Sequence, residues 1–277
     1  MVTASHDNTT RIWDALTGAD ITLLSGHESW VESVAYSPTG SRIVTASRDN
    51  TARIWDAIAG AEITVLHGHE SGLSSAAFSP DGSRIVSASY DRTAWIWDAI
   101  TGAKLAALRH ESGVYGAAFS PDGSHIVTAS GDGTARIWEA NNGSRNRSLA
   151  GHALPVMSPV FSSDGFRIVT ASNDRSARIW NALTGAEMTV LRGHSELVAD
   201  AAFSLDGSRT VTASYDGTVR IWDASTVGEI TRLPLDAAIT ALAVRKGDIA
   251  LGDRPGRIHV FQAGGLLKKP GTLHERR

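Results

Sequence analysis

The chain of 277 residues has no cysteine. Disulfides and thiolate metal sites are therefore excluded, and a reducing cytoplasm fits. No run of about 18 apolar residues occurs, as a membrane-spanning helix would need. Met1 is not followed by a basic and then apolar leader. The expected setting is soluble and cytoplasmic. Neither sign of charge dominates: 26 Lys and Arg stand against 29 Asp and Glu, for a net charge of −3. The pI is near 6.4, whereas a nucleic-acid-binding domain ordinarily lies above about 9. The expected partner is a protein or peptide, with no nucleic acid and no membrane. Phosphate-binding Gly-x-x-x-x-Gly-Lys-Ser/Thr, a Gly-x-Gly-x-x-Gly after a strand and calcium-loop spacing are all missing. No cofactor is expected. Few stretches carry a helical period.

What is present is a repeat. Trp13-Asp14, Trp55-Asp56, Trp97-Asp98, Trp138-Glu139, Trp180-Asn181 and Trp222-Asp223 follow one another at steps of 42, 42, 41, 42 and 42 residues. A period of roughly 40–45 residues with Gly-His and Trp-Asp marks means four short strands per unit. The second unit shows how. Val31–Tyr36 reads as a first strand, and Ser37-Pro38-Thr39-Gly40 as a turn. Ile43–Ser47 is a second strand rich in β-branched residues, and Arg48-Asp49-Asn50 a tight turn. Thr51–Trp55 and Glu62–Leu66 follow as third and fourth strands, with Gly60 at the bend between them. Apolar residues sit at adjacent positions in Ile43-Val44 and Ile54-Trp55, so both faces of each small sheet are expected to be buried between neighbours. The turn returns as Ser79-Pro80-Asp81-Gly82, Ser120-Pro121-Asp122-Gly123, Ser162-Ser163-Asp164-Gly165 and Ser204-Leu205-Asp206-Gly207.

These residues, over about 1–262, resemble the WD-repeat (WD-40) β-propeller family. The resemblance implies an all-β fold, a seven-bladed β-propeller whose first blade is incomplete. It also implies a hydrogen-bonded set in each blade: His before the first strand, Ser or Thr on the second, Asp in the next turn and Trp on the third. Carried over, the sets are His27, Thr45, Asp49 and Trp55; His69, Ser87, Asp91 and Trp97; His110, Thr128, Asp132 and Trp138; His152, Thr170, Asp174 and Trp180; and His194, Thr212, Asp216 and Trp222. A buried indole N–H needs an acceptor, and a hydroxyl can accept from one group while donating to another.

Departures carry expectations of their own. The fourth unit is one residue short, with Arg109-His110 in place of Gly-His, so a distorted loop is expected there. In the seventh, strands are expected at Ile239–Val244, Asp248–Leu251 and Arg257–Phe261. Phe261 stands in place of Trp and no Gly-His precedes, so this blade is expected to lack the polar set. In the first, Met1-Val2-Thr3 aligns with Ile43-Val44-Thr45, and Thr3, Asp7 and Trp13 are present without a first strand or its His. The innermost strand is thus expected to be missing, and the chain to be a fragment of a longer protein. Residues 263–277 read as a basic tail, with Leu266-Leu267 a candidate for the last blade's outer strand.

Ser, His and Asp in one set invite a catalytic-triad reading. A triad needs an exposed nucleophile and an oxyanion hole, whereas these groups recur unit after unit beside a buried Trp. Loop histidines such as His67 and His69 do not converge, so no metal is expected. Function is instead expected on the rim. There the residue before the turn Asp varies, as His6, Arg48, Tyr90, Gly131, Asn173 and Tyr215, and so do positions early in the first strand. Trp30, Tyr90, Tyr115 and Tyr215 are the contact candidates, with Glu32 and Arg48 adding charge selectivity. The expected role is a noncatalytic interaction scaffold or sensor module, similar to bacterial WD-repeat arrays attached to signalling NTPases. The alternatives are a propeller-scaffold enzyme and a structural module completed by another chain.

Overall fold

The computed structural model describes residues 1–245, 248–262 and 275–276. Among them there is no helix, and the strands form seven small antiparallel sheets of β-propeller type. In the second sheet, Val31–Tyr36, Arg42–Ser47, Ala52–Asp56 and Glu62–Leu66 pair in chain order. The third runs Leu73–Phe78, Arg84–Ser89, Thr93–Asp98 and Lys104–Arg109. The first has three strands only, Val2–Ala4, Thr9–Trp13 and Asp20–Ser25. The chain divides into two compact units, residues 1–132 with 136–148, and residues 133–135 with 149–277.

Turn chemistry stops each strand. The Gly82 N–H donates to Ser79 C=O at 2.8 Å, and Asp81 Oδ1 accepts from Ser79 Oγ at 2.5 Å and from the Ser83 N–H at 3.0 Å. Gly82 has φ +70, a region that side-chain-bearing residues enter only at a cost. Register shifts recur at one place in the first-to-second strand pairing of each four-stranded sheet, between Val31 and Ser33, Leu73 and Ser75, Val198 and Asp200 and their equivalents. Such bulges bend a strand and increase its twist.

Burial on both faces follows from the adjacent apolar pairs. Ile43 and Val44 point to opposite faces of their strand and are both 0% exposed. In the first unit, Ile12 and Leu24 of the first sheet meet Ile43 and Trp55 of the second, and Val44, Ile54 and Leu66 meet Leu73, Ile85 and Trp97 of the third. The second unit repeats this with Val169, Ile179 and Leu191 against Val198, Ala201 and Trp222. Polar ties run between sheets as well. The Arg42 guanidinium donates to Gly82 C=O and Ala99 C=O, both at 2.8 Å, and lies 5.2 Å from the Phe78 ring centre. Arg84 does the same to Gly123 C=O and Ala140 C=O at 3.0 and 2.6 Å, over Phe119. In the second unit Arg167 reaches Gly207 C=O at 2.9 Å, over Phe203.

Asp200 ties three sheets of the second unit. Its Oδ1 accepts from Ser158 Oγ at 2.7 Å and from the Ala201 N–H at 2.9 Å, and its Oδ2 from the Leu242 N–H at 3.0 Å. Burial raises its carboxyl above the ordinary value, because no cation faces it in these bonds.

The seventh sheet differs from the six before it. Its strands Ile239–Arg245, Asp248–Asp253 and Ile258–Gln262 are followed by a two-residue fourth strand, Glu275–Arg276, paired to Val260 and Phe261. Leu266-Leu267, like the rest of 263–274, lies outside the described residues. The sheet also builds a polar set of its own. The buried Asp253 accepts from the Arg257 N–H and Arg257 Nε, each at 2.7 Å, and its Oδ2 lies 3.0 Å from His259 Nε2. The imidazole comes from the third strand instead of the preceding loop. Phe261, smaller than Trp, lines an apolar hollow with Val219, Ile221, Ile249 and Leu251.

Candidate protein-binding surface

The polar sets define one end of each sheet, because the loop carrying His meets the turn carrying Asp there. In the second sheet, Trp55 Nε1–H donates to Thr45 Oγ1 at 2.9 Å, Thr45 Oγ1 lies 2.7 Å from His27 Nε2, and His27 Nδ1 lies 2.7 Å from Asp49 Oδ2. The corresponding distances are 2.8, 2.8 and 2.6 Å for Trp97, Ser87, His69 and Asp91. They are 2.8, 2.7 and 3.0 Å for Trp138, Thr128, His110 and Asp132. For Trp180, Thr170, His152 and Asp174 they are 2.9, 2.8 and 2.8 Å, and the same for Trp222, Thr212, His194 and Asp216. The shortened fourth loop thus lengthens one contact without breaking the set, contrary to the distortion expected.

A neutral imidazole satisfies every group once: indole N–H to hydroxyl, hydroxyl to Nε2, Nδ1–H to carboxylate. Burial lowers the imidazoles of His110 and His194, which favours that form. Burial alone would raise the Asp91 and Asp216 carboxyls, but bonds from Ser/Thr and His outweigh it and hold each at about 2. The same bonds hold Asp49 and Asp174 low. The Ser87 hydroxyl is 0% exposed and engaged on both sides. A substrate carbonyl cannot reach it, so the geometry is that of a strut and not of a nucleophile. Among the described residues no cluster of three His, Cys, Asp or Glu is placed to hold a metal ion. No helix there is long and apolar enough to cross a membrane.

On the same end of the first unit the variable residues form one connected surface. The His6 ring stacks on Trp30 at 4.3 Å and 7°. Trp30 is 47% exposed. The Arg48 guanidinium lies 5.8 Å from the Trp30 ring centre and 4.4 Å from that of Tyr90. Arg48 Nε donates to Glu32 Oε1 at 2.6 Å and Arg48 Nη2 to Tyr90 Oη at 3.0 Å. The Tyr90 and Tyr115 rings are 5.7 Å apart. Each of the first four sheets contributes, and small residues make room. A Cβ on Gly72 would come within 3.0 Å of Arg48 Cα. Burial and the nearby Glu32 raise the Tyr90 phenol, so it keeps its proton. Its oxygen already accepts from Arg48, and its O–H remains available to an acceptor on a partner.

Tyr215 belongs to the second unit. It is 40% exposed, and its N–H donates to Leu197 C=O at 3.1 Å. His6 was not among the contact candidates, although it occupies the variable position before the turn Asp. Its place beside Trp30 is set by packing between the first two sheets, which spacing does not reveal. Trp95 was missed altogether. In the first, second, fifth and sixth sheets that position holds an Arg paired to an acid nine residues on: Arg11 with Asp20 at 2.9 Å, Arg53 with Glu62 at 2.6 Å, Arg178 with Glu187, and Arg220 with Glu229 at 2.6 Å. In the third sheet the pair becomes Trp95 and Lys104, with Lys104 Nζ 3.0 Å from the indole centre and His69 stacked at 4.3 Å. The joint change of Arg to Trp and of acid to Lys is a signal present in the sequence.

Comparison with known proteins accords with this geometry. The stretch shared with the nuclear distribution protein PAC1 of Mycosarcoma maydis is 41% identical over 44 residues, and covers 16% of this chain and 10% of that protein. The family described as WD domain, G-beta repeat matches residues 18–56, 60–98, 102–139, 143–181 and 185–223. Each match begins near the fourth strand of one sheet and ends at the Trp-Asp position of the next, so the sequence repeat and the sheet are out of phase by one strand. More than half of the chain is matched, and the chain belongs to the WD-repeat family.

Proposed function

We propose that the chain is a noncatalytic platform for a protein or peptide, and that it binds through the surface built from His6, Trp30, Glu32, Arg48, Tyr90 and Tyr115. The observation that carries this reading is the run of ring and guanidinium contacts across four sheets on an exposed end. None of these side chains fills the core between sheets. Aromatic residues and Arg supply rigid area and hydrogen bonding together, and dominate interface energetics. Glu32 orients Arg48 and gives the surface a preference in charge. Tyr215 is a further contact candidate. The absence of cysteine and the near-neutral charge favour a cytoplasmic protein partner over a nucleic acid.

The test is a displayed random-peptide library selected on the purified chain. Enriched peptides are expected to lose about tenfold or more in affinity for a Tyr90→Ala/Tyr115→Ala variant whose thermal melt is preserved. Enriched peptides that bind the double variant as tightly as the parent would dispose of this surface.

A further inference from the structure

The outer strands of the third and fourth sheets reverse the charge of the others. The first, second, fifth and sixth sheets open that strand with Asp20, Glu62, Glu187 and Glu229, and each acid is neutralised by an Arg of its own sheet. The third opens it with Lys104 and the fourth with Arg145. Lys104, Arg145 and Arg109 at the far end of the third sheet's strand are exposed. None of them forms an ion pair among the described residues. Arg136, the fourth sheet's equivalent of the pairing Arg, instead donates to Arg109 C=O at 2.8 Å and to Asp132 Oδ2 at 3.2 Å.

These cations gather on neighbouring edges. Trp95 lies opposite Ala107 and Thr93 opposite Arg109, so Arg109 shares the face on which Lys104 covers the indole. Burial lowers the Lys104 ammonium and Arg109 lowers it further, while Asp91, the carboxylate that opposes this, is engaged by His69 and Thr93. Like charges thus face one another without a free anion between them. The turn before Arg145 rests on the third sheet's outer strand, since a Cβ on Gly143 would come within 2.9 Å of Ala106 Cβ. The chain as a whole carries a net charge of −3, so the positive charge here is local.

We propose that the outer edge of the third and fourth sheets is a docking surface for an extended acidic segment of a protein partner. Charge complementarity sets the acidity. Geometry sets the extension: Lys104–Arg109 has six residues and pairs on one side only, and about 20 Å of open edge is matched by a chain and not by a single ion. Blocking the edge against self-association would not need this reversal, because the neutralised acid pairs of the other sheets already place charge there.

The probe is a fluorescein-labelled peptide of about ten residues alternating Glu and Val, whose carboxylates share one face when extended. Saturable binding is expected, together with slowed amide exchange over 104–109 and unchanged exchange over 62–66. A peptide with Gln for Glu should bind about tenfold or more weakly. Trp95→Arg/Lys104→Glu/Arg145→Glu gives the two sheets the pairs that their neighbours already hold, so its thermal melt should be preserved and its affinity for the Glu peptide reduced about tenfold or more. Absence of saturable binding, equal affinity of the folded variant, or slowing spread over every outer strand would each overturn the proposal. So would tighter binding of a single-stranded RNA oligomer or of phosphatidylserine vesicles than of the Glu peptide. The Tyr90→Ala/Tyr115→Ala variant should bind the Glu peptide like the parent, so failure at either surface is told apart from failure at the other.

Discussion

Thr45→Val isolates the polar set from the packing around it. Valine has nearly the shape of threonine, so the change opens no cavity, but it removes the hydroxyl on which two partners depend. Thr45 is 0% exposed, accepts from Trp55 Nε1 at 2.9 Å and lies 2.7 Å from His27 Nε2. Each of the two orphaned buried groups costs about 1–3 kcal/mol, so the loss should be about 2–6 kcal/mol. Thr45→Ser keeps the hydroxyl and deletes one methyl, at about 1 kcal/mol. The third sheet already uses Ser87 in this place. Urea unfolding followed by tryptophan fluorescence should show the midpoint of the Val variant well below that of the Ser variant, with unchanged m-values. Repeat arrays do not always unfold in one step, so amide exchange over 42–56 should be measured beside it and should accelerate more for Val. A Val variant at least as stable as the Ser variant would refute the account of how these sheets hold their indoles.

Acid should destabilise the protein in two stages. His110 and His194 are lowered by burial, so their contribution is present above the unfolded value near about 6.5 and fades as pH falls through the folded values. Asp91 and Asp216 sit at about 2 when folded, so their contribution is present above about 4 and is lost as pH drops toward about 2. Urea midpoints at pH 7, 5 and 3 should fall in that order, and a rising series would contradict the assignment. Arg84→Met should cost about 2–4 kcal/mol, because bonds to Gly123 C=O and Ala140 C=O and the contact with Phe119 are lost. Arg209→Met should cost under about 1 kcal/mol, since Arg209 pairs with Asp223 of its own sheet on a partly exposed face. Equal losses in the two variants would show that the inter-sheet bonds carry no special weight.

Much of the fold was legible because the information is local. Turn residues and adjacent apolar pairs place strands within a residue or two, as Val31–Tyr36 and Glu62–Leu66 show. The His, hydroxyl, Asp and Trp of a set recur at constant spacing, so five copies corroborate one another. Contacts between sheets were less legible. Nothing in the spacing says that Arg42 reaches the Gly82 carbonyl of the next sheet, or that His6 lies flat on Trp30. The seventh sheet escaped for another reason. Its imidazole, His259, comes from a strand position that holds Arg in five of the other six sheets, so a search for Gly-His does not find it. The joint exchange that puts Trp95 beside Lys104 was visible and went unread, because each residue is unremarkable without its partner.

Near-identical repeats invite the view that any unit can be exchanged for any other, and Asp200 shows where that view breaks. The equivalent residue of the second sheet is Ser33, at the same register shift. A duplication that copied residues 31–66 over the sixth sheet would keep every turn, indole and imidazole. It would leave the Leu242 N–H facing a hydroxyl too short to span the gap, and Ser158 without its acceptor. Exchange among the repeats is therefore constrained by one side chain where the fifth, sixth and seventh sheets meet, and the sixth sheet should keep its individuality at Asp200 while the sequence around it is homogenised.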